Sequence, residues 1–304
     1  MKKLKHDPAA LNSKLIRRPI QRCFWLFLLP TFVAFCIGFL YPFLQGIYLS
    51  FCKFKTIKKA EFVFLDNYVT ALKDPGFVHA FWFTALFTIT TVILINVLAF
   101  AVAYALTRGI KGSNLFRTVF FMPNLIGGIV LGYIWSMIFE GVFSHFGTSL
   151  LLKSSLGFWG LVILVCWQQI GYMMIVYVAG INAVPDDIVE AAKIDGATGW
   201  QTLKSIIIPN VMPSITICTF LTLTNGFKLF DQNLALTEGR PFIQQAGNAI
   251  KTTEMMALNI FNSFYASGGS NRGIGQAKAV MFFILVAAIS LIQLSVTRKR
   301  EVQQ

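Results

Sequence analysis

Charged side chains make up only 13% of the 304 residues, and acids are half as numerous as bases, 13 against 26. So little charge cannot clothe a soluble globule of this length. Long polar stretches are missing too: charged segments occur only as short connectors, which excludes two independent soluble domains although length alone would allow them. Histidine is scarce, and His6, His79 and His145 are scattered, so no HExxH-type metal spacing exists. The five cysteines (Cys23, Cys36, Cys52, Cys166, Cys218) form no CxxC pair and mostly fall in apolar runs. Neither a disulfide framework nor a metal knuckle is expected, and no metal ligands are assigned. No GxxxxGK[ST] sequence is present; the glycine-rich SGGSNRGIG at 267–275 fits neither that pattern nor GxGxxG and reads as a flexible external loop. No apolar run contains a Ser/His or paired Asp centre, so the nucleophile and base of an intramembrane enzyme are lacking. The sequence therefore reads as a non-enzyme.

What the sequence has instead is apolar length. Hydrophobic residues make up 56% of it and gather into runs of about 20, the length a helix needs to cross a bilayer. Six runs qualify, at 24–44, 80–106, 116–139, 158–181, 211–230 and 279–296. The expected fold is an all-α polytopic membrane protein with six transmembrane helices: a basic N-terminal segment 1–22, one membrane domain 23–297 and a tail 298–304. The first run lacks a following A-x-A cleavage site and is expected to stay as an uncleaved span. Trp25, Tyr41, Trp82 and Trp135 suit bilayer interfaces or neighbouring helices.

The net charge of +13 is a topology signal, because Lys and Arg sit at run ends and chain termini and not in a nucleic-acid footprint. Lys2, Lys3, Lys5, Lys14, Arg17, Arg18 and Arg22 face only Asp7 in the first 22 residues, which places the N-terminus in the cytoplasm. Arg108, Lys111 and Arg117, and then Arg298, Lys299 and Arg300, fall on the same side in a six-span path, so both termini are expected to be cytoplasmic. Lys53, Lys55, Lys58 and Lys59 in the first external loop oppose the rule but are outvoted. Residues 249–264, with Met255, Leu258, Ile260 and Phe261 among Lys251, Glu254, Asn259 and Asn262, read as an external amphipathic helix.

Between the fourth and fifth runs, 184–209 reads VPDDIVEAAKIDGATGWQTLKSIIIP, a charged stretch patterned as two short helices. Asp186 or Asp187 can cap the first, Asp187 and Glu190 having capping-box spacing, and Gly196 can close it left-handed. Ten helical residues span about 15 Å, too short to cross. Ile188, Ala191, Ala192 and Asp195 fall near one face, where the two alanines admit a close partner, while Asp187 and Glu190 offer carboxylates to basic groups. Thr198 can cap the second helix, with Trp200, Leu203 and Ile207 on one side and Pro209 at its limit. A plain amphipathic connector on the headgroups would look similar.

Glu190, Ala191, Ala192, then Gly196, then Ile206, Ile207, Ile208 and Pro209 resemble the EAA signature of ABC importer permeases, with Ile208 where Leu is more usual. YPFLQGIYLSF, LDNYVTAL, LFRTVFFMPN, WQQIGYMMIVYVAGINAVP and LTEGRP are similar to the carbohydrate-uptake branch, in the type typified by the larger maltose channel subunit but without its extra N-terminal spans and large external insertion. The resemblance implies a permease subunit of a bacterial inner-membrane importer for sugars, with oligosaccharide as the cargo. It implies as partners a second homologous permease, two ATPase subunits docking on the EAA loop through Asp187, Glu190, Ala191, Ala192, Asp195, Gly196 and Pro209, and an extracytoplasmic solute-binding protein. No cofactor is expected on this chain; ATP and Mg belong to the ATPase.

Polar groups inside spans should face a cavity, a helix or a partner. These are Asn124, Gln168, Gln169, Asn225, Lys228 and Asp231, with Phe227 or Trp167 able to stack on a sugar face. The resemblance places Asn124, Gln168, Gln169, Phe227 and Lys228 around cargo. Equally, Lys228 and Asp231 are spaced to pair with each other, and Asn and Gln commonly join helices. Pro123 with Gly127 and Gly128 either loosens the third span or permits close packing.

Overall fold

A computed structural model of the chain describes residues 24–245, 247–265 and 271–298. The basic segment 1–22, residues 299–304 of the tail and residues 266–270 of the glycine-rich stretch lie outside the described residues.

The chain opens on α1 (Phe24–Ser50), then a small antiparallel ribbon of β1 (Cys52–Lys53) and β2 (Glu61–Phe62), a short α2 (Asp66–Lys73) and the long α3 (Pro75–Leu106). Next come α4 (Ser113–Phe121), continued by a 3-10 turn at Met122–Leu125, α5 (Gly128–Ser144) and α6 (Ser154–Asn182). A short α7 (Asp186–Ile194) and the stretch α8 (Gly199–Asn210) lead into α9 (Met212–Phe227). The chain then forms α10 (Asp231–Leu236), a hairpin of β3 (Phe242–Gln245) and β4 (Asn248–Lys251), α11 (Met256–Tyr265) and α12 (Arg272–Arg298). Among the described residues α1, α3, α6 and α12 are each long and apolar enough to cross a membrane, and two bent pairs raise the number to as many as six. The fold is helical, with two small ribbons in the connections that the all-α expectation did not include.

Helix α3 starts where it does because Asp74 accepts a hydrogen bond from the Gly76 amide at 2.9 Å and Pro75 needs no donor partner in the first turn. The heart of the bundle is α6, where Leu161, Leu164, Val165, Met173, Met174 and Tyr177 are almost fully buried. Between helices in lipid, small residues allow backbones to approach. At Gly171 any side chain would collide with the Phe120 carbonyl of α4, and at Gly180 with the Ser214 hydroxyl of α9. Polar bonds add to this packing: Tyr177 Oη donates to Asn96 Oδ1 at 2.6 Å, and Asn96 Nδ2 donates to Thr222 Oγ1 at 3.0 Å, tying α6, α3 and α9 together. Helix α1 is apolar and exposed over most of its length, and reaches the bundle where Phe43 meets Phe283 of α12 edge-on at 5.2 Å.

At the end of the bundle where α3 and α12 begin, Lys278 is 1% exposed. Its Nζ donates to Asp74 Oδ2 at 2.6 Å, Ser263 Oγ at 2.7 Å and Asn259 Oδ1 at 3.0 Å. Asn259 and Asn262 in turn donate to the buried Glu254, which Lys251 also approaches at 3.6 Å. A buried ammonium is tolerated here because all three donors have partners. This run-end lysine is thus a core group, unlike the flanking charges that mark topology.

Several expectations need correction. The third run is not one helix: α4 with its 3-10 turn meets α5 at 100°, with Ile126 extended (φ −88°, ψ 132°). Pro123 withholds an amide from the ladder, and Gly128 lets α5 pass close to α10, where a Cβ would lie 2.9 Å from Asp231 and Gln232 side-chain atoms. The fifth run begins at a 69° bend from α8 at Val211, between Pro209 and Pro213, and its helix stops at Phe227, short of the expected end. Within 249–264 the first residues belong to strand β4, and the helix begins only at Met256. Thr252 and Thr253 amides bond back to Pro241 and Gly239 carbonyls, holding the chain as a hairpin there. The glycine-rich stretch is not all loop, because Arg272 to Gly275 form the first turn of α12. A side chain at Gly273 would strike the Cys52 carbonyl, so that glycine serves close packing. Cys52 itself lies in β1, outside the apolar helices.

Candidate functional site

Helix α7 follows α6 in the chain and leads through α8 into α9. Its N-cap is Pro185, and neither the expected Asp cap nor the Asp187/Glu190 capping box forms. Asp186 and Asp187 occupy the first turn instead, where carboxylates face the positive end of the helix dipole. At the other end Gly196 has φ +79°, its amide donates to Lys193 O at 3.1 Å and the Ala197 amide to Ala192 O at 2.9 Å. That pair of bonds is a Schellman closure, which only a left-handed residue permits cheaply. Thr198 then starts α8 with a complete capping box: it accepts from the Gln201 amide, and Gln201 Oε1 accepts from the Thr198 amide at 2.7 Å.

These caps fix which face of α7 is free. Ala192 is buried and Val189 packs on the bundle core, so the four residues first grouped on one face are divided. Ile188, Ala191 and Asp195 are exposed with Asp187 and Glu190, and Ile194 and Trp200 are exposed to 81% and 69%. Three bare apolar groups, Ile188, Ile194 and Trp200, with three carboxylates and the small Ala191, form a surface suited to a protein partner. Pro209 stands apart from it, at the bend into α9.

Four of the polar residues of the spans meet where α9 ends. Gln169, Asn225, Lys228 and Asp231 line one cleft of about 260 Å³ together with Leu229, Phe230 and Gln232. Gln169 is 8% exposed, and among the described residues its Oε1 has no hydrogen-bond partner. A buried acceptor left open costs free energy unless something fills it. Lys228 and Asp231 both reach the cleft and do not form the ion pair that their spacing allowed; both are exposed. Helix α10 folds back over α5, where a Cβ at Gly132 would lie 2.6 Å from that of Ala235.

Four of the expected residues, Gln168, Asn124, Phe227 and Trp167, are elsewhere. Gln168 joins helices: its Nε2 donates at 3.2 Å to the Ile126 carbonyl freed by the break, and its Oε1 accepts from Gln232 Nε2 at 2.7 Å. Asn124 is half-buried in the 3-10 turn and does not line the cleft. Phe227 is 5% exposed and faces inward, so the aromatic at the cleft is Phe230. Trp167 packs edge-on against Trp135 at 5.5 Å. Gln232 was missed because it stands just past the apolar run; its adjacency to Asp231 was the available signal. Among the described residues no cluster of three His, Cys, Asp or Glu side chains could hold a metal ion.

Residues 95–302, which contain both α7 and the cleft, match the family described as binding-protein-dependent transport system inner membrane component. The chain belongs to this family. As an inner membrane component with helices long enough to span, it is membrane-embedded. It is 43% identical to the probable starch degradation products transport system permease protein AmyD of Thermoanaerobacterium thermosulfurigenes, over 92% of this chain and 95% of that one. It is 32% identical to the multiple sugar-binding transport system permease protein MsmF of Streptococcus mutans, over 91% and 96%. Among solved structures, a bacterial ABC transporter involved in the import of the acidic polysaccharide alginate superposes with a TM-score of 0.77 over 93% of this inner membrane component and 98% of that chain. At 20% identity that likeness speaks to the fold alone.

Proposed function

We propose that this inner membrane component is the permease subunit of an ATP-driven sugar importer, carrying oligosaccharides of the kind released from starch, and that it forms half of the translocation pathway. The observation that carries the reading is the cleft in which Gln169 holds an open, buried acceptor beside Asn225, Lys228 and Asp231. Sugar hydroxyls both donate and accept, so Gln169 Oε1 and the Asp231 carboxylate accept hydrogen bonds from hydroxyls while Lys228 Nζ and the Asn225 amide donate to hydroxyl oxygens. Each such bond replaces one to water, and a chain of moderate bonds lets cargo move on. The names of the two relatives support the cargo class.

The partners follow from the same reading. A second, related permease closes the open side of the cleft; two ATPase subunits engage the pair, one of them on the free face of α7; and a solute-binding protein delivers sugar at the opposite end of the bundle. ATP and Mg act on the ATPase. Both termini and α7 face the cytoplasm.

Two experiments test this. In proteoliposomes holding the full complex and its binding protein, maltodextrin uptake should require ATP and stop with vanadate but not with an uncoupler. A cysteine at Thr198 in an otherwise cysteine-free variant should resist an impermeant reagent applied outside intact cells. Uptake driven by an ion gradient, or labelling from outside, contradicts the reading.

A further inference from the structure

Beside the polar cleft lies an aromatic one of about 430 Å³, lined chiefly by Phe230, Ile260, Phe261, Phe264, Tyr265 and Gln276. Phe230 lines both. From it the rings follow one another: Phe230 to Phe261 at 5.1 Å between centroids, Phe261 to Tyr265 at 4.8 Å, and Tyr265 to Phe264 at 4.9 Å. Phe261 and Tyr265 remain 40% and 61% exposed, so the rings are open to a visitor.

Helix α11, which carries most of these rings, is held from its other side. Asn259 and Ser263 receive the buried Lys278, and Asn259 and Asn262 hold Glu254. The aromatic face is therefore presented by a clamped helix, which is the preorganisation a binding surface needs. The row of rings meets the polar cleft at Phe230, and the Tyr265 hydroxyl and the Gln276 amide add polar groups to the groove.

A pyranose ring is apolar on its faces and polar at its rim. It fits flat rings bordered by hydrogen-bonding groups, and a chain of pyranoses fits a row of rings that ends in amides and charges. We infer that Phe230, Phe261 and Tyr265 form a stacking track on which successive sugar rings of an oligosaccharide rest while its leading end enters the cleft at Gln169. This rests on the sugar-import reading above and adds a consequence that reading lacks: transport should depend on chain length through the aromatic residues, since a short cargo fits the cleft alone and a long one uses the track.

The test compares uptake of maltose with that of longer maltodextrins by the reconstituted complex, for Phe261→Leu and Tyr265→Leu, with assembly followed by capture through a tagged ATPase. Leucine keeps an apolar contact and removes the flat face. Each substitution should lower uptake of the long cargo about three- to tenfold more than uptake of maltose, with assembly unchanged. Equal effects on every length, or none, overturn the track. Loss of assembly in both variants also overturns it, by showing that the groove holds the second permease. Gln169→Leu separates the two claims: if it impairs uptake of all lengths while the aromatic variants do nothing, the cleft stands and the track falls. If the wild-type complex takes up no maltodextrin, both fall.

Discussion

Gln232 donates from Nε2 to Oε1 of Gln168 at 2.7 Å, and Gln168 passes the bond on to the Ile126 carbonyl. This relay links α10, α6 and the break in the third span, so adjacent glutamines on α6 have different work: Gln168 holds the frame and Gln169 faces the cleft. Gln168→Leu should strand the Ile126 carbonyl and the Gln232 amide, lowering stability by about 1 to 3 kcal/mol. Thermal unfolding in detergent should show that loss for Gln168→Leu and a smaller one for Gln169→Leu, whose acceptor is already unpaired.

The ion pair of Lys278 and Asp74 should be lopsided. Asp74 keeps 37% of its side chain exposed while Lys278 keeps 1%, so only the carboxylate can turn to water when its partner is lost. Asp74→Asn strands a buried charge and should cost about 3 to 5 kcal/mol, and Lys278→Met should cost less. Melting temperatures of the two variants, with wild type between runs, decide the order; a larger loss for Lys278→Met contradicts the burial argument.

Glycine positions divide by what surrounds them. Gly171→Ala drives a methyl into the Phe120 backbone, which cannot swing aside as a side chain could, and should destabilise by about 1 to 3 kcal/mol or more. Gly141→Ala meets nothing within 4 Å on helix α5 and should be neutral or slightly stabilising. Expression level and thermal unfolding of the pair check this contrast.

On α7, Glu190→Lys reverses a charge on the exposed face, and Gly196→Val puts a β-branched residue at φ +79°. Both should cut ATPase retention and transport while the protein still inserts. Normal capture of the ATPase by both variants would remove α7 from the docking role.

Much of the helical frame was legible because each crossing stretch has to be apolar over about 20 residues, and that pattern needs no tertiary information. Gly196 and Thr198 were equally legible, since left-handed closure and amide capping are decided within a few residues. Asn225, Lys228 and Asp231 could be named because their polarity stands out against lipid. Pro123, Gly127 and Gly128 marked a loosening of the third span, but its size was hidden: hydropathy measures apolarity and is blind to direction, so two helices at 100° read as one span. Asp187 was expected to cap α7, but Pro185 takes the N-cap and leaves the carboxylate within the first turn. Lys278 was hidden because a lysine at the head of an apolar run normally marks the interface, and only the fold brings Asp74 and Ser263 to it. Asn96, alone in an apolar run, gained its meaning only from Tyr177 and Thr222 on other helices.

The central claim is that Gln169 and Asn225 handle sugar in a cleft of this chain. Uptake of maltodextrin into proteoliposomes, measured beside assembly of the complex, tests it most directly. With one buried hydrogen bond worth about 1 to 3 kcal/mol, Gln169→Leu and Asn225→Leu should each weaken transport roughly ten- to a hundredfold while permease, ATPase and binding protein still assemble. Unchanged uptake kinetics in both variants, or a loss of uptake that only follows a loss of assembly, would contradict it.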